Sequence, residues 1–212
     1  MVAREVRSFP QTVNRTAMEL VMTTIDRTRS AVLVMDYQAS ILGMLGDVAA
    51  PLVASASAVV SAARTAGLPV IFVVVGFRPG YPEANPRNPV FGPIVATGRF
   101  VTETPGSDVH EAFKREATDV VIFKHRVGAF TGTDLDMVLR SKSIETLILM
   151  GISTSGVVLS TVRHAADSDY RLVVVSDGCA DPDAEVHRVL VEKVLARQAT
   201  ILSSSAVIEG LR

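Results

Sequence analysis

Short, wholly apolar segments recur along the chain, and most are followed by a stretch whose apolar residues repeat at helical spacing. Continuous apolar runs of this length are typical of strands buried on both faces of a sheet. The predicted strands cover residues 31–36, 69–75, 119–123, 145–150, 171–176 and 199–202. The predicted helices cover residues 47–66, 110–115, 133–141, 155–168, 182–195 and 206–211. This alternation predicts an α/β fold of the doubly wound, Rossmann-like kind, a three-layer sandwich with a mostly parallel six-stranded sheet.

The chain is predicted to form one domain, residues 30–212, preceded by an N-terminal segment. Residues 1–29 are polar except for 18–22. They are interpreted as an arm or short helix packed on the domain or on a neighbouring subunit, or else as a mobile terminus. The connection 76–106 is rich in proline, glycine and aromatic residues. A connection of this length usually serves function or assembly, so we expect it to be a packed lid or an interface.

The net charge and the apolar content of the chain indicate which classes of binding partner to expect. The net charge is −1 and no basic stripe is present, which argues against a nucleic-acid partner. The longest apolar runs, such as 68–76, are too short to span a bilayer, and the N-terminus lacks the pattern of a signal peptide. We therefore expect a cytoplasmic protein with a small-molecule substrate and no membrane partner. An apolar content of 48% favours a homo-oligomer, a dimer or a tetramer.

Neither a cofactor nor a metal is expected. The sequence after the first predicted strand, DYQASILG, lacks the glycine fingerprint that binds a dinucleotide. The four histidines are scattered, without the spacing of metal ligands. The single cysteine, Cys179, rules out an internal disulfide and disfavours a structural zinc site.

Two charged residues are predicted at strand ends, where doubly wound folds bind their ligands. Asp36 follows the apolar residues 31–35 and is a candidate general acid or base, although a helix cap or a loop salt bridge would place it there too. Lys124 ends another predicted strand. Alone it could be a surface lysine, but near Asp36 it would hold that acid ionised and polarise a substrate carbonyl or carboxylate.

The stretch MGISTSGVVLSTVRHAADSDY, residues 150–170, reads as a strand end, a tight turn and a helix start. Free N–H groups at such a turn form an anion or oxyanion site, and enzymes of this architecture place a nucleophile there. This turn contains no cysteine. Cys179 lies outside it, among Asp177, Asp181 and Asp183; that acidic setting would raise its pKa, so it is interpreted as a small packed side chain.

Four segments together resemble the isochorismatase-like hydrolase superfamily, over most of residues 30–202. They are VLVMDYQ, VIFKHRVGAFTGTDLDMVLRS, GISTSGVV and VSDGCADPDAEVH. In the amidase members the resemblance implies an Asp–Lys–Cys triad. Its Asp and Lys correspond to Asp36 and Lys124, and Val157 stands at the position of the cysteine. The resemblance also implies a cis peptide at Ile152–Ser153.

The resemblance further implies where the substrate binds. Contacts to substrate or oxyanion are expected from Ile152, Ser153, Thr154, Ser155, Gly156, Arg78, Arg126 and Phe130. Arg87 is a further candidate carboxylate clamp, and Gln38 is expected to support the loop after the first strand. Nicotinamidases bind a metal after the second strand, but GFRPGYPEANPRN contains no histidine, so no such metal site is expected here.

Three functions are consistent with these residues. Isochorismatases cleave a vinyl ether without the cysteine, and by that resemblance Asp36 would protonate a small, carboxylated substrate before water adds. Alternatively, the chain is a disabled member that binds a ligand or serves assembly. In the third interpretation Ser155 or an activated water hydrolyses an amide or ester. Ser155 lies two residues before Val157, so in a helical turn it would point elsewhere.

Overall fold

A computed structural model describes residues 25–212. Its single sheet contains β1 (Ser30–Met35), β2 (Val70–Val75), β3 (Val120–Lys124), β4 (Thr146–Ile152), β5 (Arg171–Ala180) and β6 (Thr200–Leu202). The strand order is β3-β2-β1-β4-β5-β6, and all five pairings are parallel. The predicted α/β fold is confirmed, with a wholly parallel sheet. Residues 1–24, most of the predicted arm, lie outside the described residues.

Helices cover both faces of this sheet. The α-helices of the described part are α1 (Ala39–Leu42), α2 (Ala49–Thr65), α3 (Gly92–Thr97), α4 (Leu135–Ser141), α5 (Leu159–Asp167), α6 (Ala184–Val189) and α7 (Ser204–Gly210). Buried residues of α2 and α7 share one core with Val32 and Val34, whereas those of α4 and α5 share the other with Leu33 and Met35. Because β1 is buried on both faces, its sequence is continuously apolar.

Several predicted boundaries differ from those in the structure. The helix predicted over 47–66 is preceded by a 3₁₀ turn (Gly46–Val48), and Val48 occupies the cap position of α2 without a side-chain hydrogen bond. β5 extends to Ala180, because a register shift after Leu149 lets its second half pair with the end of β4. The helix expected at 155–168 begins with a π-helical turn (Thr154–Val158) before α5.

The long connection 76–106 is packed on the domain and contains α3, which was not predicted. The Phe77 ring lies 5.6 Å from the ring of Tyr81 and 5.8 Å from that of Phe91. The Tyr81 hydroxyl donates to the Arg99 carbonyl at 2.8 Å, and the Arg99 guanidinium lies over the Phe100 ring. These contacts fold the connection on itself, and Phe91 and Phe100 share a cavity with Asp36 at the carboxyl end of β1.

The segment Gly46–Thr65 is long and apolar enough to cross a membrane by length and composition. The core helices of globular domains meet the same criterion. The apolar side chains of this segment that are buried belong to the core between α2 and the sheet.

Strand order reverses between β1 and β4, which lie side by side at the centre of the sheet. In doubly wound folds the loops after two such strands diverge to opposite faces and leave a crevice at their carboxyl ends. Asp36 follows β1 directly, and the turn at 153–158 follows β4. The candidate site is built at this crevice.

Candidate active site

Asp36 and Lys124 form a buried ion pair at the carboxyl edge of the sheet. The Lys124 Nζ lies 2.9 Å from Oδ2 of Asp36, and both side chains are less than a tenth exposed. Lys124 also donates to the Arg126 carbonyl at 3.1 Å. Among the described residues, Oδ1 of Asp36 has no hydrogen-bond partner. The pair therefore leaves one carboxyl oxygen buried and without a hydrogen bond in the described part of the chain.

The burial of Asp36 changes its acidity. Desolvation raises the pKa of the Asp36 carboxyl above its usual value, and the Lys124 ammonium opposes that shift. A raised pKa allows a carboxylic acid to hold a proton closer to neutral pH, as a general acid must. The geometry thus fits acid–base chemistry at Asp36.

The backbone around Asp36 is held tightly. Its φ is 61°, a left-handed conformation that Asp and Asn tolerate better than most residues. Its N–H donates to the Val73 carbonyl at 2.7 Å. The buried side chain of Gln38 accepts from the Val75 N–H and donates to the carbonyls of Val75 and Ser107. Gln38 therefore joins the loop after β1 to the end of β2, in keeping with the expected supporting role.

The turn after β4 comes very close to β1. A Cβ on Gly151 would lie 3.0 Å from a methyl of Val158, 3.1 Å from a methyl of Val157 and 3.2 Å from Cβ of Met35. The peptide Ile152–Ser153 is cis, as the resemblance implied. Glycine at position 151 thus allows the turn to pack directly over the end of the central strand.

Two backbone N–H groups of this turn are satisfied by side chains of the chain itself. The Ser155 N–H donates to Oδ2 of Asp181 at 2.8 Å, and the Gly156 N–H donates to Oγ of Ser153 at 3.1 Å. The anion site that the sequence predicts at this turn is therefore partly filled by a carboxylate of the protein.

Thr154 connects the turn to α6. Its side chain is fully buried, and Oγ1 lies 2.8 Å from Nδ1 of His187. Burial lowers the pKa of His187. The Thr154 hydroxyl is thus directed to α6, and the expected contact of Thr154 with substrate or oxyanion stays a prediction.

A cavity of about 370 Å³ lies over these residues. Polar groups come from Asp36, Lys124, Ser153, Ser155 and Gly156, and the remaining lining residues are Val75, Val90, Phe91, Ile94, Phe100, Val127, Ile152 and Val157. Ser155, in the π-helical turn, is one of the lining residues. Val157, the position of the family cysteine, is 2% exposed and presents only methyl groups.

Three predicted contact residues lie outside the cavity lining. Arg78 is 72% exposed at its side chain and pairs with Glu83. Arg126 donates to the backbone carbonyls of Glu83 and His125. Phe130 packs in the opposite core, stacked on the His164 ring at 4.5 Å. Each of the three is held by other partners, and their contacts with substrate stay predictions. Arg87, the additional clamp candidate, is likewise absent from the lining.

Cys179 is a core residue. It is 4% exposed and pairs with Gly151 across β4 and β5. Desolvation, more than the nearby Asp177, raises the pKa of its thiol to about 12. The predicted packing role agrees with this placement, although burial and not acidic neighbours is the main reason for the raised pKa.

Sequence reasoning missed the outer wall of the cavity and the role of Asp181. Val90, Phe91, Ile94 and Phe100 form that wall. The aromatic content of the connection 76–106 indicated a lid, but it did not identify which side chains of the lid face the cavity. Within residues 25–212, no group of three or more His, Cys, Asp or Glu side chains could hold a metal ion.

Comparison with known proteins agrees with this architecture. The isochorismatase domain matches residues 30–206. The isochorismatase family protein YecD of Escherichia coli O157:H7 is 32% identical over 192 residues, which are 90% of this chain and 100% of that protein. The ureidoacrylate amidohydrolase RutB of Methylobacterium radiotolerans is 30% identical over 158 residues, covering 68% of this chain and 61% of RutB.

A solved structure has the same fold along nearly its whole length. The isochorismatase family protein from Burkholderia thailandensis matches with a TM-score of 0.78 and 29% identity, covering 89% of this chain and 97% of that one. The domain match spans most of the chain and includes both Asp36 and Lys124. This chain therefore belongs to the isochorismatase family of hydrolases.

Proposed function

We propose that the chain hydrolyses a small substrate by acid–base catalysis at Asp36, with water as the nucleophile. The observation that carries this proposal is the buried Asp36 carboxyl, whose Oδ1 has no partner among the described residues. Val157, on the facing turn, offers no nucleophilic atom. A mechanism without a covalent intermediate therefore suits this cavity better than thiolate chemistry.

The favoured reaction is hydrolysis of a vinyl ether. Protonated Asp36 gives its proton to the terminal carbon of the enol ether, which leaves an oxocarbenium ion. Water adds to that ion and returns a proton to the Asp36 carboxylate, and the hemiacetal then breaks down to an alcohol and a carbonyl compound. Lys124 contributes at the first step, because its ammonium beside Oδ2 stabilises the carboxylate that remains.

A second candidate is amide or ester hydrolysis with Ser155 as nucleophile. It is favoured by the exposure of Ser155 on the cavity wall and by the similarity to an amidohydrolase. A serine nucleophile also needs a general base within hydrogen-bond reach. The hydrogen bond between Ser155 and Asp181 is made by the Ser155 backbone N–H. It therefore does not place a base on the Ser155 hydroxyl.

Ser155→Ala separates the two candidates. We expect the variant to keep turnover within about twofold of the wild type on any active member of a panel of enol ethers, amides and esters, since loss of a catalytic nucleophile costs far more than that. Initial rates should be measured together with intact protein mass during turnover. An acyl adduct on Ser155, or a large loss of rate in the variant, would favour the serine mechanism.

A further inference from the structure

The outer wall of the cavity is apolar. Phe91 and Phe100 are buried side chains of the connection 76–106, and Ile94 lies on α3 between them. Val90 lines the same cavity although it is 53% exposed, so it lies at the mouth. A substrate entering past these residues exchanges water for hydrocarbon over most of its surface. An ionised group would lose its hydration there without compensation.

The cations near the cavity are already engaged. Lys124 is the one cationic side chain among the lining residues of the described chain, and its ammonium lies 2.9 Å from Oδ2 of Asp36. The guanidinium of Arg126 is fixed on backbone carbonyls, and that of Arg78 is paired with Glu83. None of these groups is available to a substrate carboxylate without breaking an existing contact.

Two N–H groups of the turn after β4 are already engaged by side chains of the protein. Its Ser155 N–H, on the cavity wall, already donates to the Asp181 carboxylate at 2.8 Å. The Gly156 N–H donates to the Ser153 hydroxyl. A substrate carboxylate that took up the Ser155 N–H would have to displace the Asp181 carboxylate, whose like charge would oppose it.

From these three observations we infer that the cavity selects a neutral, largely apolar substrate and rejects carboxylates, and that Asp181 is a specificity-determining residue. This inference rests on the proposed function, because it assigns a substrate class to the same site. It replaces the expectation of a carboxylated metabolite. Asp181 acts here through charge and by occupying the Ser155 N–H, not by contact with the reacting atoms.

Direct binding of two isosteric probes, acetophenone and benzoate, tests the inference without any turnover. We expect the wild-type protein to bind acetophenone more tightly than benzoate by a factor on the order of ten or more, measured by calorimetry or ligand-detected NMR. Asp181→Asn keeps an acceptor for the Ser155 N–H but removes the charge, so benzoate affinity should rise on the order of tenfold while acetophenone affinity stays unchanged.

Two further variants make the result specific. Asp183→Asn removes a nearby charge that caps α6 outside the cavity lining, and it should change neither affinity. Val90→Arg places a cation at the half-exposed mouth, where it should strengthen benzoate binding without disturbing the core.

The inference is overturned if wild-type protein binds benzoate as tightly as acetophenone. The role of Asp181 is overturned if Asp181→Asn leaves benzoate affinity at the wild-type value. Because both readouts are binding constants, they are independent of whether Asp36 performs acid–base catalysis.

Discussion

We expect Asp36→Asn to lower kcat/KM by about 10²–10⁴-fold, the range typical of losing a general acid or base. The amide cannot exchange a proton at the pH of the reaction, but it retains the shape of the carboxyl and an oxygen facing Lys124. Asparagine is also the substitution best suited to the backbone, because the φ of 61° at this position is tolerated by Asn. The loss should therefore come from chemistry, and initial rates on the active substrate would measure it.

A matched control for Asp36→Asn is Asp47→Asn, which removes a carboxylate from an exposed position. It should leave kcat/KM unchanged. Circular dichroism and thermal melting of both variants would establish that they are folded. If folded Asp36→Asn turns over every substrate at the wild-type rate, acid–base catalysis at Asp36 is excluded. The cavity would then be assigned to ligand binding or to another nucleophile.

Lys124→Met is expected to destabilise the fold by about 3–5 kcal/mol near neutral pH, because it leaves the Asp36 carboxylate buried without its partner. The cost should depend on pH. Without the ammonium the folded-state pKa of Asp36 rises further above its unfolded value. Stability from the protonated carboxyl is then fully present below the unfolded pKa and is lost as pH rises through the folded pKa. The gap to the wild type should therefore widen from acid to neutral pH.

Urea unfolding at several pH values would measure this effect, with Lys142→Met as the control. Lys142 is exposed at the end of α4, so its replacement should change the free energy of unfolding little at any pH. A Lys124→Met protein as stable as the wild type at neutral pH would contradict a functional ion pair between Lys124 and Asp36.

The fold could be predicted from the sequence because strands that are buried on both faces have a simple, continuously apolar sequence pattern. A central parallel strand such as β1 has no polar face, so its residues form a continuous apolar run. The first charged residue after such a run marks the strand end, which is how Asp36 and Lys124 were found. The predicted end of a strand was wrong where that end depends on pairing with a neighbouring strand. An example is β5, which extends opposite the end of β4.

Substrate contacts were harder to predict because they depend on the paths of loops. Arg126 follows Lys124 in sequence, yet its guanidinium is fixed on backbone carbonyls. Phe130 is held in the opposite core by the ring of His164. The hydrogen bond from the Ser155 N–H to Asp181 joins residues that are 26 positions apart, so no local sequence pattern predicts it. Local propensity indicates where a loop begins, whereas tertiary contacts decide which side chains it presents.

The pH dependence of kcat/KM tests the central claim, that Asp36 gives its proton to the substrate, most directly. The active form for this step is the protonated acid, whose pKa is raised by burial. We expect kcat/KM to be constant at low pH and to fall tenfold per pH unit above the Asp36 pKa. In Asp36→Asn, the residual kcat/KM should not show this fall with pH. Proton transfer from Asp36 would be contradicted if kcat/KM instead rose with pH through the same pKa, or if the fall persisted in Asp36→Asn.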